Sequence, residues 1–162
     1  MRKREIKIAV TGFSSLDELP EEDRSLLQAA REAAGNAYAP YSGFRVGAAL
    51  RLADGRTVSG NNQENASSPV GCCAERTALF WANANYPEVA VEAVAVSALD
   101  RDGKRPLRIS PCGICRQALL ESEMRFGRPI RILLDNSGEI DMLDNAKSLL
   151  PLSFDSGALE VR

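Results

Sequence analysis

Residues 91–135 read VEAVAVSALDRDGKRPLRISPCGICRQALLESEMRFGRPIRILLD, and this stretch decides the fold class. It opens with a mostly apolar run of strand length, residues 91–99, and closes with a second such run, residues 129–135. Between the two runs, residues 111–124 begin with a proline and continue in helix-forming residues, which is typical of a helix. A strand, a helix and a second strand in succession predict an α/β fold.

The residues before this stretch continue the alternation. Residues 20–39 begin with Pro20, carry acidic residues in the first turn and place leucine and alanine at helical spacing, so they predict the first helix. Residues 44–60 (FRVGAALRLADGRTVSG) contain two strand-like runs on either side of an Asp-Gly pair, which is a strong hairpin signal. Residues 73–84 (CAERTALFWANA) are rich in helix formers and predict another helix.

The two ends of the chain add further elements. Apolar residues alternate through residues 5–10 (EIKIAV) and indicate an edge strand within an N-terminal extension, residues 1–20. Residues 142–154 (MLDNAKSLLPLSF) indicate a short helix that ends before Pro151. The sequence thus predicts a single domain, residues 1–162, built as a three-layer α/β/α sandwich around a mixed sheet of roughly five strands.

Composition and charge narrow the range of functions. The chain has 162 residues, of which 44% are apolar and 26% are charged, as in ordinary globular proteins. The net charge of −2 argues against a broad phosphate-binding surface, so we expect a small neutral ligand rather than long nucleic acid. The sequence shows no signal peptide and no apolar run of membrane length, so we expect a cytoplasmic protein with no membrane partner.

All four cysteines lie in two short motifs, and the chain contains no histidine. Cys112 and Cys115 are three residues apart at the start of a predicted helix, which places both sulfurs on one face of its first turn. A third sulfur would come from Cys72 or Cys73, whose side chains point about 100° apart on a helix, so only one of the two is expected to bind the same ion. Three thiolates leave one position of a tetrahedral zinc ion open to water, which is typical of a catalytic site.

Charged residues follow both motifs. Because the chain has no histidine, Glu75 is the expected acceptor for the proton of a metal-bound water. Three thiolates and Zn²⁺ together carry a negative charge, so Arg76 and Arg116 are expected to donate hydrogen bonds to the sulfurs and withdraw charge from them. Either arginine could instead lie on a solvated helix face.

Two other interpretations of the cysteines stay open. A C-x-x-C pair also occurs in thioredoxin-like redox sites. Four sulfurs can form a closed structural zinc clamp, although the adjacent Cys72 and Cys73 do not easily reach one ion. Cys72 otherwise fits as a small buried apolar residue. Metal analysis separates these cases, since they require one zinc with an open position, no metal, or one closed zinc.

The motifs CAERTA (residues 73–78) and SPCGICRQ (residues 110–117) resemble those of zinc-dependent cytidine deaminases, the free-nucleoside type with three cysteine ligands. The resemblance implies the cytidine deaminase-like fold, with Glu75 as general acid and base. It implies one Zn²⁺ per chain, bound by Cys73, Cys112 and Cys115. It also implies a reaction of pyrimidine salvage, in which a zinc-activated water converts cytidine and deoxycytidine to uridine and deoxyuridine.

The resemblance extends over about residues 24–154 and implies further site residues. Phe44, in AYAPYSGFRVGAAL, would pack beside the base, and Ala74 would hold the base through its backbone. In GNNQENASS, Asn62 and Glu64 would bind the ribose hydroxyls, a task for which one amide and one carboxylate are suited.

The C-terminal motif LLPLSF implies an assembly, because in this family Phe154 would approach the active site of a neighbouring subunit in a homotetramer.

Three positions depart from the family pattern. Arg45 stands where proline is common, Gln63 where valine or isoleucine is usual, and Ser68 where an aromatic residue is frequent. The Ser68 departure affects the expected wall of the pocket.

The nearest alternative is another zinc aminohydrolase of the same fold, such as one that acts on blasticidin S. The letters ENA at residues 64–66 favour a ribose binder. Deaminases of nucleotides, transfer RNA or polynucleotides resemble the H-x-E version of the motif, and this chain has no histidine. A non-enzymatic zinc-binding module is the alternative from another functional class.

Overall fold

The computed structural model describes residues 1–159. Within this part of the chain there are three α-helices, six β-strands and four short 3₁₀ turns. The helices are α1 (Glu21–Gly35), α2 (Ala74–Asn85) and α3 (Gly113–Phe126). The strands are β1 (Thr11–Phe13), β2 (Arg45–Leu52), β3 (Thr57–Asn61), β4 (Val91–Leu99), β5 (Arg131–Asn136) and β6 (Glu139–Leu143). Over the described residues, none of the helices has the length and apolar character needed to cross a membrane.

The six strands form one mixed sheet in the order β1-β6-β5-β4-β2-β3. Neighbours β4 and β5 are parallel, and α3 connects them because parallel neighbours need a crossover. The other neighbouring pairs are antiparallel. The α/β class expected from residues 91–135 and the mixed sheet expected from the whole chain are confirmed, with six strands rather than about five.

Helices cover both faces of the sheet. Successive residues of a strand point to opposite faces, so Ala49 of β2 packs toward α1 whereas Leu50 packs toward α2 and α3. On the α1 face, Leu27 and Ala30 are fully buried. On the other face, Leu79 of α2 is buried to the same degree. The three-layer sandwich predicted from the sequence is therefore the observed one.

Two glycines let the helices approach the sheet closely. A Cβ atom on Gly60 of β3 would lie 2.6 Å from the backbone nitrogen of Ala78 and 2.9 Å from the backbone oxygen of Ala74, both in α2. A Cβ atom on Gly47 of β2 would collide with the backbone of α1. The first turn of α2 is consequently held directly against β3.

Two fully buried carboxylates tie α1 to opposite ends of β5. Asp135, near the carboxyl end of β5, accepts two hydrogen bonds from Arg31 of α1, at 2.8 and 2.7 Å. Asp23 of α1 accepts hydrogen bonds from Arg51 at 3.1 Å and from Arg131, the first residue of β5, at 2.8 Å. Because both carboxylates are buried, each depends on these cationic partners for its charge to be tolerated.

The N-terminal edge strand differs from the sequence expectation. Residues 5–10 form no strand, and their apolar side chains are about half exposed. The strand begins at Thr11 instead and pairs with β6, where Phe13 lies opposite Ile140. Phe13 packs against the core on the α1 face, which explains why the strand forms at that point.

The C-terminal region contains a strand that the sequence did not lead us to expect. A tight turn at Ser137-Gly138, with Gly138 at φ = 86°, folds β6 back against β5. Strand β6 takes up the first residues of the helix expected over residues 142–154. That helix is therefore reduced to a short 3₁₀ turn, Ala146–Leu149.

Candidate active site

Three cysteine sulfurs converge where α2 and α3 begin. Cys73 directly precedes α2, Cys112 directly precedes α3, and Cys115 lies in the first turn of α3. The Sγ atoms of Cys73 and Cys112 are 3.8 Å apart, those of Cys112 and Cys115 are 3.4 Å apart, and all three lie within 4.8 Å of one another. Sulfurs around a tetrahedral zinc ion are about 3.8 Å apart when each Zn–S bond is about 2.3 Å. The three thiols therefore fit a zinc ion.

Cys72 lies outside this sulfur group, so among the described residues no four-sulfur clamp is formed. Its backbone exchanges two hydrogen bonds with the backbone of Gln63, each 2.9 Å long. This antiparallel bridge fixes the chain just before α2. Cys73, the next residue, is thereby directed toward the sulfurs of α3.

Burial and the start of α3 act in opposite directions on the thiols. Burial raises the pKa of Cys73 and of Cys115. Burial also acts on Cys112, but hydrogen bonds from the backbone N–H groups of Cys115 and Ile114 help to bring the pKa of Cys112 below its ordinary value. Because zinc binds thiolates, metal uptake at this group must release protons.

Glu75 lies in the first turn of α2, and only 4% of its surface is exposed. Burial raises the pKa of its carboxyl group, while the backbone of α2, Cys115 and Arg76 oppose the shift. A carboxyl group whose pKa is raised toward neutrality can both take up and return a proton during a reaction. Glu75 is thus a buried carboxyl group with a raised pKa at the start of α2, beside the sulfurs.

The two arginines that follow the motifs have different partners. Arg76 places Nη2 4.0 Å from the Sγ atom of Cys73, and its buried Nε has no hydrogen-bond partner among the described residues. Arg116 instead donates to the backbone oxygens of Pro111 at 2.7 Å and Leu149 at 3.1 Å, and to the hydroxyl of Ser110 at 2.9 Å. The expectation that both arginines donate to sulfur is therefore corrected for Arg116, whose guanidinium group is used to hold the chain before α3.

A cavity of about 610 Å³ opens beside the sulfurs. Cys73 lines it together with Asn62 and Glu64, so one residue expected to bind metal shares the cavity with the two expected to bind ribose. Cys112, Cys115 and Glu75 are not among the described residues that line it. The volume lies within the range of about 300 to 1,000 Å³ that is usual for small-molecule sites.

Asn62 and Glu64 also hold the loop at one side of this cavity. The Oδ1 atom of Asn62 accepts a hydrogen bond from the N–H group of Val46 at 2.7 Å, and its Nδ2 atom donates to the backbone oxygen of Phe44 at 2.9 Å. Glu64 Oε2 accepts from the N–H groups of residues 41 and 42, at 2.8 and 3.2 Å. A hydrogen bond with the side chain of Ser42 is the main reason why the pKa of Glu64 lies below its ordinary value, and the two backbone N–H groups add to it.

The other expected site residues are placed less directly. Ala74 is buried between Cys73 and Glu75 at the start of α2. Phe44 and Phe154 are 37% and 61% exposed, and neither is among the described residues that line the cavity. The backbone oxygen of Phe154 accepts a hydrogen bond from Gln117 of α3 at 2.9 Å, which ties the C-terminal segment to the metal-bearing helix.

Sequence reasoning missed two residues of the site. Arg101 donates to the backbone oxygens of Tyr41 at 2.8 Å and Ser42 at 2.6 Å, and it thereby supports the cavity loop. No local signal could have found this contact, because about sixty residues separate the partners. Ile114, between Cys112 and Cys115 in the sequence, also lines the cavity, and an exposed apolar side chain at a helix start was a signal that could have been used.

Comparison with known proteins agrees with this geometry. The family model of the cytidine and deoxycytidylate deaminase zinc-binding region matches residues 20–126. A cytidine deaminase from Halalkalibacterium halodurans is 48% identical over 96 residues, which are 59% of this chain and 68% of that protein. A cytidine deaminase from Mycobacterium tuberculosis is 38% identical over 117 residues, which are 70% of this chain and 84% of that protein.

A solved structure gives the same result. The crystal structure of cytidine deaminase from Burkholderia pseudomallei matches with a TM-score of 0.67 and 42% identity, covering 80% of this chain and 97% of that one. The family resemblance seen in the two cysteine motifs is confirmed. The chain therefore belongs to the family of zinc-dependent cytidine and deoxycytidylate deaminases.

Proposed function

We propose that this enzyme hydrolyses cytidine and deoxycytidine to uridine and deoxyuridine and releases ammonia. The observation that carries the proposal is that one cavity joins Asn62 and Glu64 to Cys73. A pair of side chains suited to sugar hydroxyls and a group suited to zinc are thus within reach of one small molecule. The two relatives described above are both cytidine deaminases, which supports the same substrate class.

Cys73, Cys112 and Cys115 would hold one Zn²⁺ per chain. Bound zinc supplies a Lewis acid that lowers the pKa of a water molecule at the open fourth position. Arg76 contributes positive charge beside the thiolate of Cys73, which offsets part of the negative charge of three sulfurs. Arg116 would act indirectly, because it donates hydrogen bonds to Ser110 and Pro111 and so fixes the chain that leads into Cys112.

Glu75 moves the protons of the reaction. Its carboxylate accepts one proton from the attacking water and delivers it to N3 of the cytosine ring, then accepts the second proton of that oxygen and delivers it to the amino group that leaves C4 as ammonia. The burial of Glu75 suits this role, because a raised pKa allows the protonated form to exist long enough to be used. Water supplies the oxygen of the product, so no covalent enzyme intermediate is needed.

Asn62 and Glu64 would bind the ribose hydroxyls. Their present partners are backbone groups of residues 41–46, so the same side chains that would hold the sugar also fix the loop beside it. Phe44 would pack beside the base, and the backbone of Ala74 would hold the base edge. Polar groups that pair with a substrate hydroxyl group discriminate against analogues that lack it.

The proposed assembly is a homotetramer in which Phe154 enters the active site of a neighbouring subunit. Phe80 and Ile114, which are 52% and 65% exposed, border a groove of about 740 Å³ between α2 and α3. Arg76 and Ile114 line both this groove and the site cavity, so a second copy seated in the groove would complete the cavity wall. Light scattering after size-exclusion chromatography should give four subunits, and a fully active monomer would contradict the assembly.

The proposal includes the context of the reaction. Residues 1–162 would act as a single domain, since β1 of the N-terminal extension pairs with β6 of the main sheet. The enzyme would work in the cytoplasm, because free thiols that serve as metal ligands need a reducing compartment. Its reaction would belong to pyrimidine salvage.

Ammonia release tests the proposed function. Purified, zinc-quantified protein is incubated with cytidine, deoxycytidine and blasticidin S in separate reactions. Release is expected from the first two and not from the third. Zinc-loaded protein that releases ammonia from blasticidin S but not from cytidine would replace the nucleoside assignment, and protein without activity on any of the three would refute it.

A further inference from the structure

The approach to the metal-bearing helix has no regular structure of its own. Residues 100–112 connect β4 to α3 without forming a helix or a strand. The last residues of this segment carry Cys112 into the sulfur group, so contacts made by the segment decide where that sulfur lies. Arg116 holds Ser110 and Pro111 from the α3 side. A different residue holds the segment from the sheet side.

That residue is Asn136, the last residue of β5 and only 4% exposed. Its Oδ1 atom accepts a hydrogen bond from the N–H group of Ile109 at 2.9 Å, three residues before Cys112. Its Nδ2 atom donates to Oδ2 of Asp141 in β6 at 2.8 Å. The oxygen of the buried amide thus binds the irregular segment before α3, and its nitrogen binds the neighbouring strand β6.

The direction of these two hydrogen bonds fixes the amide. Asp141 accepts only, so it forces Nδ2 toward β6 and leaves Oδ1 for the N–H group of Ile109. The next residue, Ser137, adds a backbone hydrogen bond to the oxygen of Pro106 at 2.9 Å. The carboxyl end of β5 therefore presents a rigid acceptor to the chain just before the metal-binding thiols.

We propose that Asn136 is a positioning residue for the metal-binding thiols, oriented for this task by Asp141. It touches neither metal nor substrate and acts through Ile109 on Cys112. The inference rests on the proposed zinc function of the three cysteines. Its expected consequence is that loss of the Asn136 amide loosens the sulfur group and speeds the release of zinc.

Zinc release to an excess of the chelator 4-(2-pyridylazo)resorcinol measures this effect in the full chain. Asn136→Ala is expected to release zinc about ten times faster than the wild type. Mutations of residues that support metal ligands typically weaken metal binding by about 10- to 100-fold, and this value is the lower end of that range. Asp23→Asn is the matched control, because it breaks a buried ion pair at the other end of β5. This control should lower the urea midpoint of the metal-free protein and leave the rate of zinc release unchanged.

A reciprocal exchange tests the orientation of the pair. Asn136→Asp places a second carboxylate against Asp141, and it should speed zinc release because like charges would push the two side chains apart. The double variant N136D/D141N restores one donor facing one acceptor, so it should recover most of the wild-type retention. The charge-transfer band of the Co²⁺-substituted proteins should be altered in Asn136→Asp and recover in the double variant.

The outcomes separate this inference from the function itself. Equal zinc release by the wild type and Asn136→Ala would overturn it. Faster release by Asp23→Asn in proportion to its lost stability, or no recovery in the double variant, would also overturn it. A wild-type protein that binds zinc but does not act on cytidine would refute the proposed reaction and leave the comparison of release rates intact.

Discussion

The Glu75 carboxyl group lies among thiols but is not needed to hold the metal, since three cysteines supply the sulfur ligands. Glu75→Ala should therefore retain one zinc per chain. Its turnover of cytidine should be lower by about 10²- to 10⁴-fold, the range that general acid-base catalysis contributes. Cys112→Ala should lose both zinc and turnover, and Glu88→Gln, a change on the exposed surface, should lose neither. Zinc analysis and ammonia release measure the two properties. Near-normal turnover by Glu75→Ala would contradict its role in proton transfer.

Glu64 gives a prediction about pH. The side-chain and backbone hydrogen bonds from Ser42, together with the N–H group of Tyr41, lower the pKa of this carboxyl group in the folded protein. A carboxylate with a lowered folded pKa adds stability that is present above its unfolded pKa and is lost as the pH falls through the folded value. A carboxyl ¹³C NMR titration, with Glu64→Gln for assignment, should give a pKa below the ordinary 4.5. A value at or above 4.5 would mean that the loop hydrogen bonds do not form in solution.

Single residues of the site were predictable where the determining contact is local. The spacing of Cys112 and Cys115 at a helix start places both sulfurs on one face regardless of the rest of the fold. Arg116 was assigned to the sulfurs because it follows the motif, yet one of its partners is the oxygen of Leu149, 33 residues away. Asn136 carried no sequence signal, since its role depends on how β5 ends beside an irregular segment.

At the scale of elements, the sequence predicts well where caps and periodicity agree. The three helices and the hairpin of β2 and β3 follow from proline or cysteine-led starts, apolar spacing and one Asp-Gly turn. Strand β6 was missed because residues 139–143 form a short strand with mixed exposure, and because its pairing relies on the turn at Ser137-Gly138. Strand β1 was misplaced because alternation is present in residues 5–10, while burial is available only at Phe13.

The contact of α2 with β3 gives a prediction for one element. Gly60→Ala would place a methyl group against the backbone of Ala74 and Ala78, so α2 must move away from the sheet. The free energy of unfolding, measured with urea on metal-free protein, should fall by about 1 to 3 kcal/mol. Zinc retention should fall as well, since α2 directly follows Cys73.

Gly35→Ala is the control. Its methyl group would meet no atom within 4 Å, so the free energy of unfolding should stay unchanged or rise slightly. Unchanged stability in Gly60→Ala would show that α2 can shift freely.

At the scale of the whole molecule, two helices that each deliver sulfur to one point begin on the same face of a single sheet. Helix α3 is the crossover between parallel strands β4 and β5, so its start is fixed by the strands on either side of it. The same two helices leave Phe80 and Ile114 exposed beside the cavity. A fold that places the metal group at this face therefore also places an exposed apolar surface, the one proposed for assembly, next to it.

Complementation between subunits tests whether the active site is shared. Phe154→Ala should lower turnover because the neighbouring cavity loses its apolar wall, and Glu75→Ala should be inactive because the proton acceptor is missing. In mixed tetramers, a site of the Phe154→Ala variant keeps Glu75 and would receive Phe154 from a Glu75→Ala subunit. Activity should therefore rise above that of either variant alone.

Mixing Phe154→Ala with the double variant E75A/F154A is the control, since no site then combines both residues. The subunits are mixed by unfolding and refolding together, and ammonia release from cytidine is measured. Equal activity in the two mixtures would mean that Phe154 serves its own chain or no active site at all.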